Sequence, residues 1–135
     1  MSQSRLPHDH GGIFEQNRQA MPDSGAFETA AEMFKILGDS TRLRIFWLLC
    51  HCEECVINLS SLMEMSSPAV SHHLKLLRSD GLVVSRREGK EVYYKAADTP
   101  QSRTLHETIE KIMEISCPRL YGEYYKELLN QRSNH

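Results

Sequence analysis

Long apolar segments are missing from this sequence. None of its 135 residues belongs to a run approaching the roughly eighteen apolar residues of a transmembrane helix, and the first residues lack the apolar core of a signal peptide. Internal repeats and low-complexity tracts are also absent. We therefore expect one cytoplasmic domain with no membrane partner, rather than a secreted or repeat protein.

Cysteine is scarce, with four residues in the chain. In a reducing compartment, so few thiols indicate metal binding or reactivity rather than a disulfide framework. Three of them lie in the segment Cys50-His-Cys-Glu-Glu-Cys55. Cys52 and Cys55 are three residues apart, which allows both to share a site at a helix end or turn. This segment is the strongest candidate ligand cluster in the sequence.

A capped amphipathic helix is predicted from Ser67. Ser67 is suited to be the N-cap and Pro68 the first helical residue, where a missing N–H costs nothing. Val70, Leu74 and Leu77 recur at i, i+4 and i+7, so that this stripe faces a core and the opposite face is exposed. The exposed face carries hydrogen-bond donors: Ser71, His72, Lys75 and Arg78.

A basic hairpin is predicted directly after this helix, which Asp80-Gly81 ends. Two strand-like runs, 82–87 and 91–96, flank the turn sequence Glu88-Gly89-Lys90. Residues 68–95 contain six Lys and Arg residues but three Asp and Glu residues, which gives this segment a charge of +3 in a chain of net charge -2. Such an asymmetry suits a surface that lies on phosphates.

A short helix expected from Asn58 precedes the capped helix and completes a helix-turn-helix, whose second helix enters the major groove of DNA. The predicted fold is mainly α with a β-hairpin wing, a winged helix-turn-helix. The residues predicted to contact double-stranded operator DNA are Ser67, Ser71, His72, Lys75, Arg78, Arg86, Arg87 and Lys90.

These motifs resemble the ArsR/SmtB family of metal-responsive prokaryotic transcriptional repressors. The resemblance spans about residues 26–116 and is carried by Phe34-Lys-Ile-Leu-Gly-Asp-Ser-Thr-Arg-Leu-Arg-Ile45, by residues 55–59, by the 67–77 helix and by Arg87-Glu-Gly-Lys-Glu-Val-Tyr-Tyr94. It implies a homodimer, formed through N- and C-terminal helices, that binds its operator without a cofactor and releases it when an inducer binds.

Two apolar stripes at the ends of the domain need a partner surface, as a homodimer requires. They are Phe27, Ala30, Phe34 and Leu37, and Leu105, Ile109, Ile112 and Ile115. We expect a flexible arm over 1–24, the DNA-binding and dimerisation domain over 25–117, and an extra C-terminal helix over 118–135. Trp47 is expected in the core.

The predicted inducer is a soft metal or metalloid ion bound by thiolates, such as Zn, Cd, Pb or As(III). The family's Cys-Val-Cys-Asp motif is matched by Cys55, but Ile57 and Asn58 replace its second cysteine and its aspartate. The predicted ligands are Cys50, Cys52 and Cys55, with His8 and His10 from the arm. The family's zinc site on the last helix is not expected, because only Asp98 and Glu114 match it.

Two other functions stay open. A persulfide- or redox-sensing repressor would respond to reactive sulfur species by bridging Cys50 or Cys52 to Cys117. A protein-interaction module without DNA binding would bury the outward residues of the capped helix. An enzyme is not expected, since a cysteine nucleophile needs a base held by a third group in a cleft.

Overall fold

Six helices and a three-stranded sheet make up the part of the chain that the computed structural model describes, residues 7–8, 11–116, 126–127 and 130–131. In chain order the elements are α1 (Gly12–Ala20), α2 (Ser24–Ile36), α3 (Ser40–His51), β1 (Glu54–Cys55), α4 (Val56–Met63), α5 (Ser67–Ser79), β2 (Val83–Glu88), β3 (Glu91–Ala96) and α6 (Pro100–Ser116). The mainly α fold with a β-hairpin wing is confirmed.

The first of two structural units covers residues 1–34. Residues 12–20, expected within a flexible arm, form α1, where Arg18 and Glu15 make an ion pair at 2.5 Å. The Asp23 carboxylate accepts a hydrogen bond from the backbone N–H of Ala26 in the first turn of α2. Within this unit, Phe27 and Phe34 of α2 are exposed, the latter by 67%.

The second unit, residues 35–135, has one hydrophobic core. Helices α3, α4 and α5 pack there with the start of the sheet, because each places its apolar stripe on the same side. The fully buried side chains are Ile45, Phe46, Leu59, Val70, Leu74, Leu77, Leu82 and Val83. Trp47, expected in this core, is partly buried at its edge.

The helix-turn-helix is formed by α4 and α5. Helix α4 begins at Val56, two residues before the expected Asn58, and ends at Met63; its C-cap, Glu64, adopts a left-handed conformation at φ 54°. The expected N-cap of α5, Ser67, is wrong by one position. Ser66 is the cap, since its hydroxyl accepts the backbone N–H of Ala69 at 3.3 Å.

The wing is the β2–β3 hairpin, whose register runs from Val83 opposite Ala96 to Glu88 opposite Glu91. The expected three-residue turn is wrong by one residue, because Glu88 pairs within the sheet and the turn is Gly89-Lys90, with Gly89 at φ 62°. Strand β3 has its expected bounds, whereas β2 begins and ends one residue later than the expected 82–87. Strand β1, which was not predicted, pairs with β3 on its other edge.

Helix α6 closes the core from the C-terminal side. Its buried Ser102 hydroxyl donates to the carbonyl oxygen of Leu82 at 3.0 Å, directly before β2. Ile109 is buried, whereas Ile112 and Ile115 further along the same stripe are exposed, the latter by 80%. The expected helix over 118–135 falls mostly outside the described residues, of which 126–127 and 130–131 are helical. Among the described helices, none combines the length and the apolar character needed to cross a membrane.

Candidate nucleic-acid interface and metal centre

The outer face of α5 is a row of exposed polar side chains. Val70, Leu74 and Leu77 are fully buried, and this stripe anchors the helix on its inner side. The residues predicted on the opposite face are all exposed: Ser71, His72, Lys75 and Arg78. Ser67 at the helix start is also exposed, and its hydroxyl lies 3.2 Å from that of Ser60 on α4. This face is available to a ligand in the groove of a duplex.

A contact between Arg42 and His73 ties α5 to α3. Arg42 belongs to the first turn of α3, where the Asp39 carboxylate accepts its backbone N–H as N-cap. The Arg42 Nε–H donates to Nδ1 of His73 at 3.2 Å, so Nδ1 is unprotonated. Burial lowers the pKa of His73 most, and the positive charges of Arg42 and His72 lower it further against the opposing effect of Asp39.

The three predicted wing cations are in different environments. Arg86 donates to both carboxylate oxygens of Glu53 at 2.5 to 2.9 Å and to Glu88 at 2.7 Å, and its guanidinium lies 4.9 Å from the Tyr93 ring centroid. Hydrogen bonds to Glu53 and then Glu88 raise the pKa of Arg86. Arg86 is therefore already paired with two carboxylates. Arg87 and Lys90, also exposed, form no ion pair among the described residues.

The three described cysteines differ in accessibility. Cys50 is partly buried, and burial, followed by the charge of Glu110, raises the pKa of its thiol to about 12. Cys52 is exposed at the end of α3, and its thiol donates to the Leu48 carbonyl at 3.5 Å. Cys55 is buried in β1 opposite Tyr93 of β3. Of the other predicted metal ligands, His8 is exposed in the first unit and His10 lies outside the described residues. Cys117, expected only in the redox alternative, also lies outside them.

One set of three metal-ligating side chains converges within the described part of the chain, and it is not the thiol cluster. His51, the last residue of α3, meets His106 and Glu110 of α6, with their ligand atoms all within 4.8 Å of one another. The Nε2 of His106 lies 2.7 Å from Oε1 of Glu110, and the Nε2 of His51 lies 3.2 Å from the same oxygen. The two Nε2 atoms are 3.2 Å apart. The sequence interpretation missed this set, although the i, i+4 spacing of His106 and Glu110 on a helix was visible in it.

The sequence and the fold of this chain both match those of known transcriptional regulators. Residues 39–85, from the N-cap of α3 into β2, match the model of the bacterial regulatory protein arsR family. A transcriptional repressor SmtB homolog from Synechocystis sp. is 40% identical over 103 residues, which are 74% of this chain and 78% of that protein. The chain belongs to the ArsR family of transcriptional regulators. The ArsR family consists of regulators rather than enzymes.

Two further relatives are similar to this chain over part of its length. The arsenical resistance operon repressor of Escherichia coli is 44% identical over 71 residues, which are 52% of this chain and 61% of that protein. The solved homodimeric winged helix-turn-helix domain of a possible ArsR-family regulator from Mycobacterium bovis has a TM-score of 0.60 and 29% identity, covering 70% of this chain and 88% of that one. The winged helix-turn-helix expected from the sequence is thus confirmed, and the resemblance to this family is confirmed with it.

Proposed function

We propose that this ArsR-family repressor acts as a homodimer that binds operator DNA through α5 and the wing. The observation that carries the proposal is the exposed donor face of α5, which is anchored by a fully buried apolar stripe on the opposite side. A helix seated in this way presents fixed donors and acceptors to the major groove, where each base pair has its own pattern. Such a repressor acts in the cytoplasm, where its operator is.

The exposed residues divide by chemistry into two roles. Ser71 and His72, short and polar in the first half of α5, are assigned to base edges. The cations Lys75, Arg78, Arg87 and Lys90 are assigned to phosphates, which set affinity and register without reading sequence. Ser67, in the first turn, is placed to meet a phosphate near the helix N-terminus. Arg86 is assigned to holding the wing through Glu53.

Exposed apolar side chains support the homodimer. Phe27 and Phe34 in the first unit, and Ile112 and Ile115 in the second, are half or more exposed in the single chain. Within each unit, large apolar side chains exposed on one helix favour an interface with another chain. A two-fold dimer presents its two recognition helices about 34 Å apart, one turn of duplex.

For the inducer, we propose a thiophilic metal or metalloid ion bound through Cys52 and Cys55. Cys52 is accessible at the end of α3, and Cys55 belongs to the strand that pairs with β3 of the wing. An ion that draws Cys55 out of β1 therefore loosens the wing. Cys50, His8 and His10 remain additional candidate ligands. The E. coli relative is named for arsenical resistance, which makes As(III) the first ion to test.

The DNA assignment is tested by selection from a pool of randomised duplexes, followed by fluorescence anisotropy on the enriched sequence. Ser71→Ala and His72→Ala should each reduce discrimination against mismatched sites by about 1–3 kcal/mol, whereas Lys75→Ala should weaken binding to every duplex alike. Ser61→Ala, on the exposed face of α4, is the matched control. Failure to enrich any sequence, or equal effects of all variants on enriched and random DNA, contradicts the assignment.

The inducer assignment is tested on the same complex with As(III), Cd²⁺ and a persulfide donor. Cys52→Ser and Cys55→Ser should each abolish release by As(III) and Cd²⁺. Release that persists in both variants contradicts the thiolate site. A response to the persulfide donor that Cys117→Ser removes, with no response to metals, would instead support the redox sensor.

A further inference from the structure

We propose that His51, His106 and Glu110 form a binding site for a borderline divalent cation such as Zn²⁺, within one subunit, where α3 meets α6. The site uses none of the thiols and none of the DNA-contacting residues assigned above. It is built by two helices that are separated in sequence, with His51 and His106 55 residues apart.

The spacing of the ligand atoms fits a bound ion. Zn–N and Zn–O bonds of about 2.0–2.1 Å in tetrahedral geometry separate the ligand atoms by about 3.3 Å. In the structure, the Nε2 atoms of His51 and His106 are 3.2 Å apart, and they lie 3.2 and 2.7 Å from Oε1 of Glu110. Two of the three separations are therefore within about 0.1 Å of the value for a bound ion, and the distance between His106 and Glu110 would have to lengthen by about 0.6 Å.

Burial makes the cluster incomplete without a cation. The side chains of His51, Glu110 and His106 are 7%, 14% and 24% exposed. Oε2 of Glu110 is buried and accepts no hydrogen bond from any residue that the structure describes. Within the same part of the chain, the ion-pairing groups facing Glu110 are the two imidazoles alone, so no Lys or Arg balances its charge. A dication bound through Oε1 would balance the charge of this carboxylate.

The donor set selects the class of ion. Two imidazole nitrogens and one carboxylate suit Zn²⁺, with Co²⁺ and Ni²⁺ as substitutes, whereas Mg²⁺ and Ca²⁺ prefer oxygen ligands throughout. Three protein ligands leave a fourth position for water. Imidazole and carboxylate are harder ligands than the thiolates of Cys52 and Cys55. The two sites therefore differ in the ions that they prefer.

The position of the site predicts an effect on DNA binding, and this step rests on the proposed function. His51 is the last residue of α3, and Arg42, nine residues earlier on the same helix, donates a hydrogen bond to His73 of the recognition helix. At 1.5 Å per residue, His51 and Arg42 lie about 13 Å apart along α3. On the other side, α6 holds the start of the wing through Ser102 and Leu82. An ion that fixes α3 against α6 therefore acts on the supports of both DNA-contacting elements. Couplings of this kind typically change affinity by roughly 5- to 150-fold.

Trp47 provides a direct readout of the site. It is the chain's one tryptophan, and its ring centroid lies 4.4 Å from that of His51. Titration of the purified full-length protein with Co²⁺ should quench the tryptophan fluorescence and give the visible absorption of tetrahedral Co²⁺. Neither signal should come with the near-ultraviolet charge-transfer band that thiolate ligands produce.

The variants His106→Gln and Glu110→Gln should each weaken Co²⁺ binding at least tenfold. The matched control Glu107→Gln, which changes an exposed carboxylate of the same helix, should leave Co²⁺ binding unchanged. Circular dichroism checks that the variants fold. For the unmodified protein, the imidazole region of a ¹⁵N–¹H spectrum should show two of seven histidines changing with Zn²⁺ at the same concentration that changes the Trp47 fluorescence. The site is overturned if folded His106→Gln binds Co²⁺ with unchanged affinity. It is also overturned if no histidine signals change together with the Trp47 fluorescence, or if Co²⁺ gives a thiolate charge-transfer band that Cys52→Ser removes.

The effect on DNA is measured separately, by anisotropy of the enriched duplex with and without Zn²⁺ at fixed ionic strength. A shift of at least fivefold that disappears in Glu110→Gln supports regulation through this site. No shift in a protein that binds both Zn²⁺ and DNA overturns the regulation and leaves the ion site standing. Absence of DNA binding overturns the proposed function, while the Co²⁺ titration still decides the site.

Discussion

The pairing of Arg86 with Glu53 predicts that this cation contributes little to phosphate binding, although it lies on a basic wing. Its guanidinium donates to both oxygens of Glu53 and to Glu88, so the group of three carries a net charge of -1. Lys90, at the tip of the same hairpin, forms no ion pair among the described residues. We therefore expect Arg86→Gln and Lys90→Gln, which remove the same charge, to have different effects on DNA binding.

The expected difference follows from counterion release. Each phosphate contact contributes about 0.9 to the slope of log affinity against log salt concentration, and a dimer with two wings doubles this to about 1.8. Between about 50 and 200 mM salt, that slope corresponds to about a twelvefold change in affinity. Lys90→Gln should lower the slope by about this amount, whereas Arg86→Gln should leave it nearly unchanged.

The measurement is fluorescence anisotropy of a labelled mixed-sequence duplex, titrated at several salt concentrations with wild-type protein and both variants. Glu53→Gln gives a test of opposite sign, because it releases the hydrogen bonds that hold Arg86 away from DNA and should steepen the slope. An equal loss of slope in Arg86→Gln and Lys90→Gln would show that phosphate displaces Glu53, and our assignment of Arg86 to holding the wing would be wrong.

Three further predictions concern stability, measured by urea unfolding without DNA at fixed protein concentration. Ser66→Ala should lower the free energy of unfolding by about 1 kcal/mol because it removes the N-cap of α5, whereas Ser67→Ala should lower it by less than about 0.5 kcal/mol. A larger loss from Ser67→Ala than from Ser66→Ala would show that Ser67 is the N-cap. Leu74→Ala should cost about 2–5 kcal/mol, since the side chain is fully buried, while the half-exposed Leu62→Ala should stay within about 0.5 kcal/mol, and similar values for the two would contradict the packing described. Burial lowers the pKa of His73 below its ordinary 6.5, so the stability that the neutral imidazole contributes is present above about pH 6.5 and is lost as the pH falls from there through the lower pKa of the folded state. His73→Gln should therefore flatten the pH dependence of stability below about pH 6.5, and an unchanged profile contradicts this.

The recognition helix and the wing were predictable because local signals agree. The stripe of Val70, Leu74 and Leu77 sets the helical period, and Gly89 marks a two-residue turn that demands a positive φ. The cap was misplaced by one residue because Ser66 and Ser67 are both good N-caps, and only the backbone path decides between them. Strand β1 was not predictable, because a strand of two residues is too short to show an alternating pattern.

Contacts between distant residues were not predictable in the same way. Counting charges along the wing gave Arg86 the same weight as Lys90, because its partner Glu53 lies 33 residues earlier. Likewise, the partners of His51 lie on α6, so no residue near His51 in the sequence marks it as part of a site. Such sites depend on how helices pack against one another, which the hydrophobic pattern constrains only in outline.

The exposed apolar side chains of α2 and α6 have a consequence for how much protein a cell needs. If two chains must associate before either covers Phe34 or Ile115, the concentration of dimers able to bind both halves of an operator rises with the square of the chain concentration when dimers are scarce. A modest change in synthesis or degradation then produces a steeper change in occupancy of the promoter. Through these apolar surfaces, the concentration of the protein would itself control promoter occupancy, in addition to any inducer.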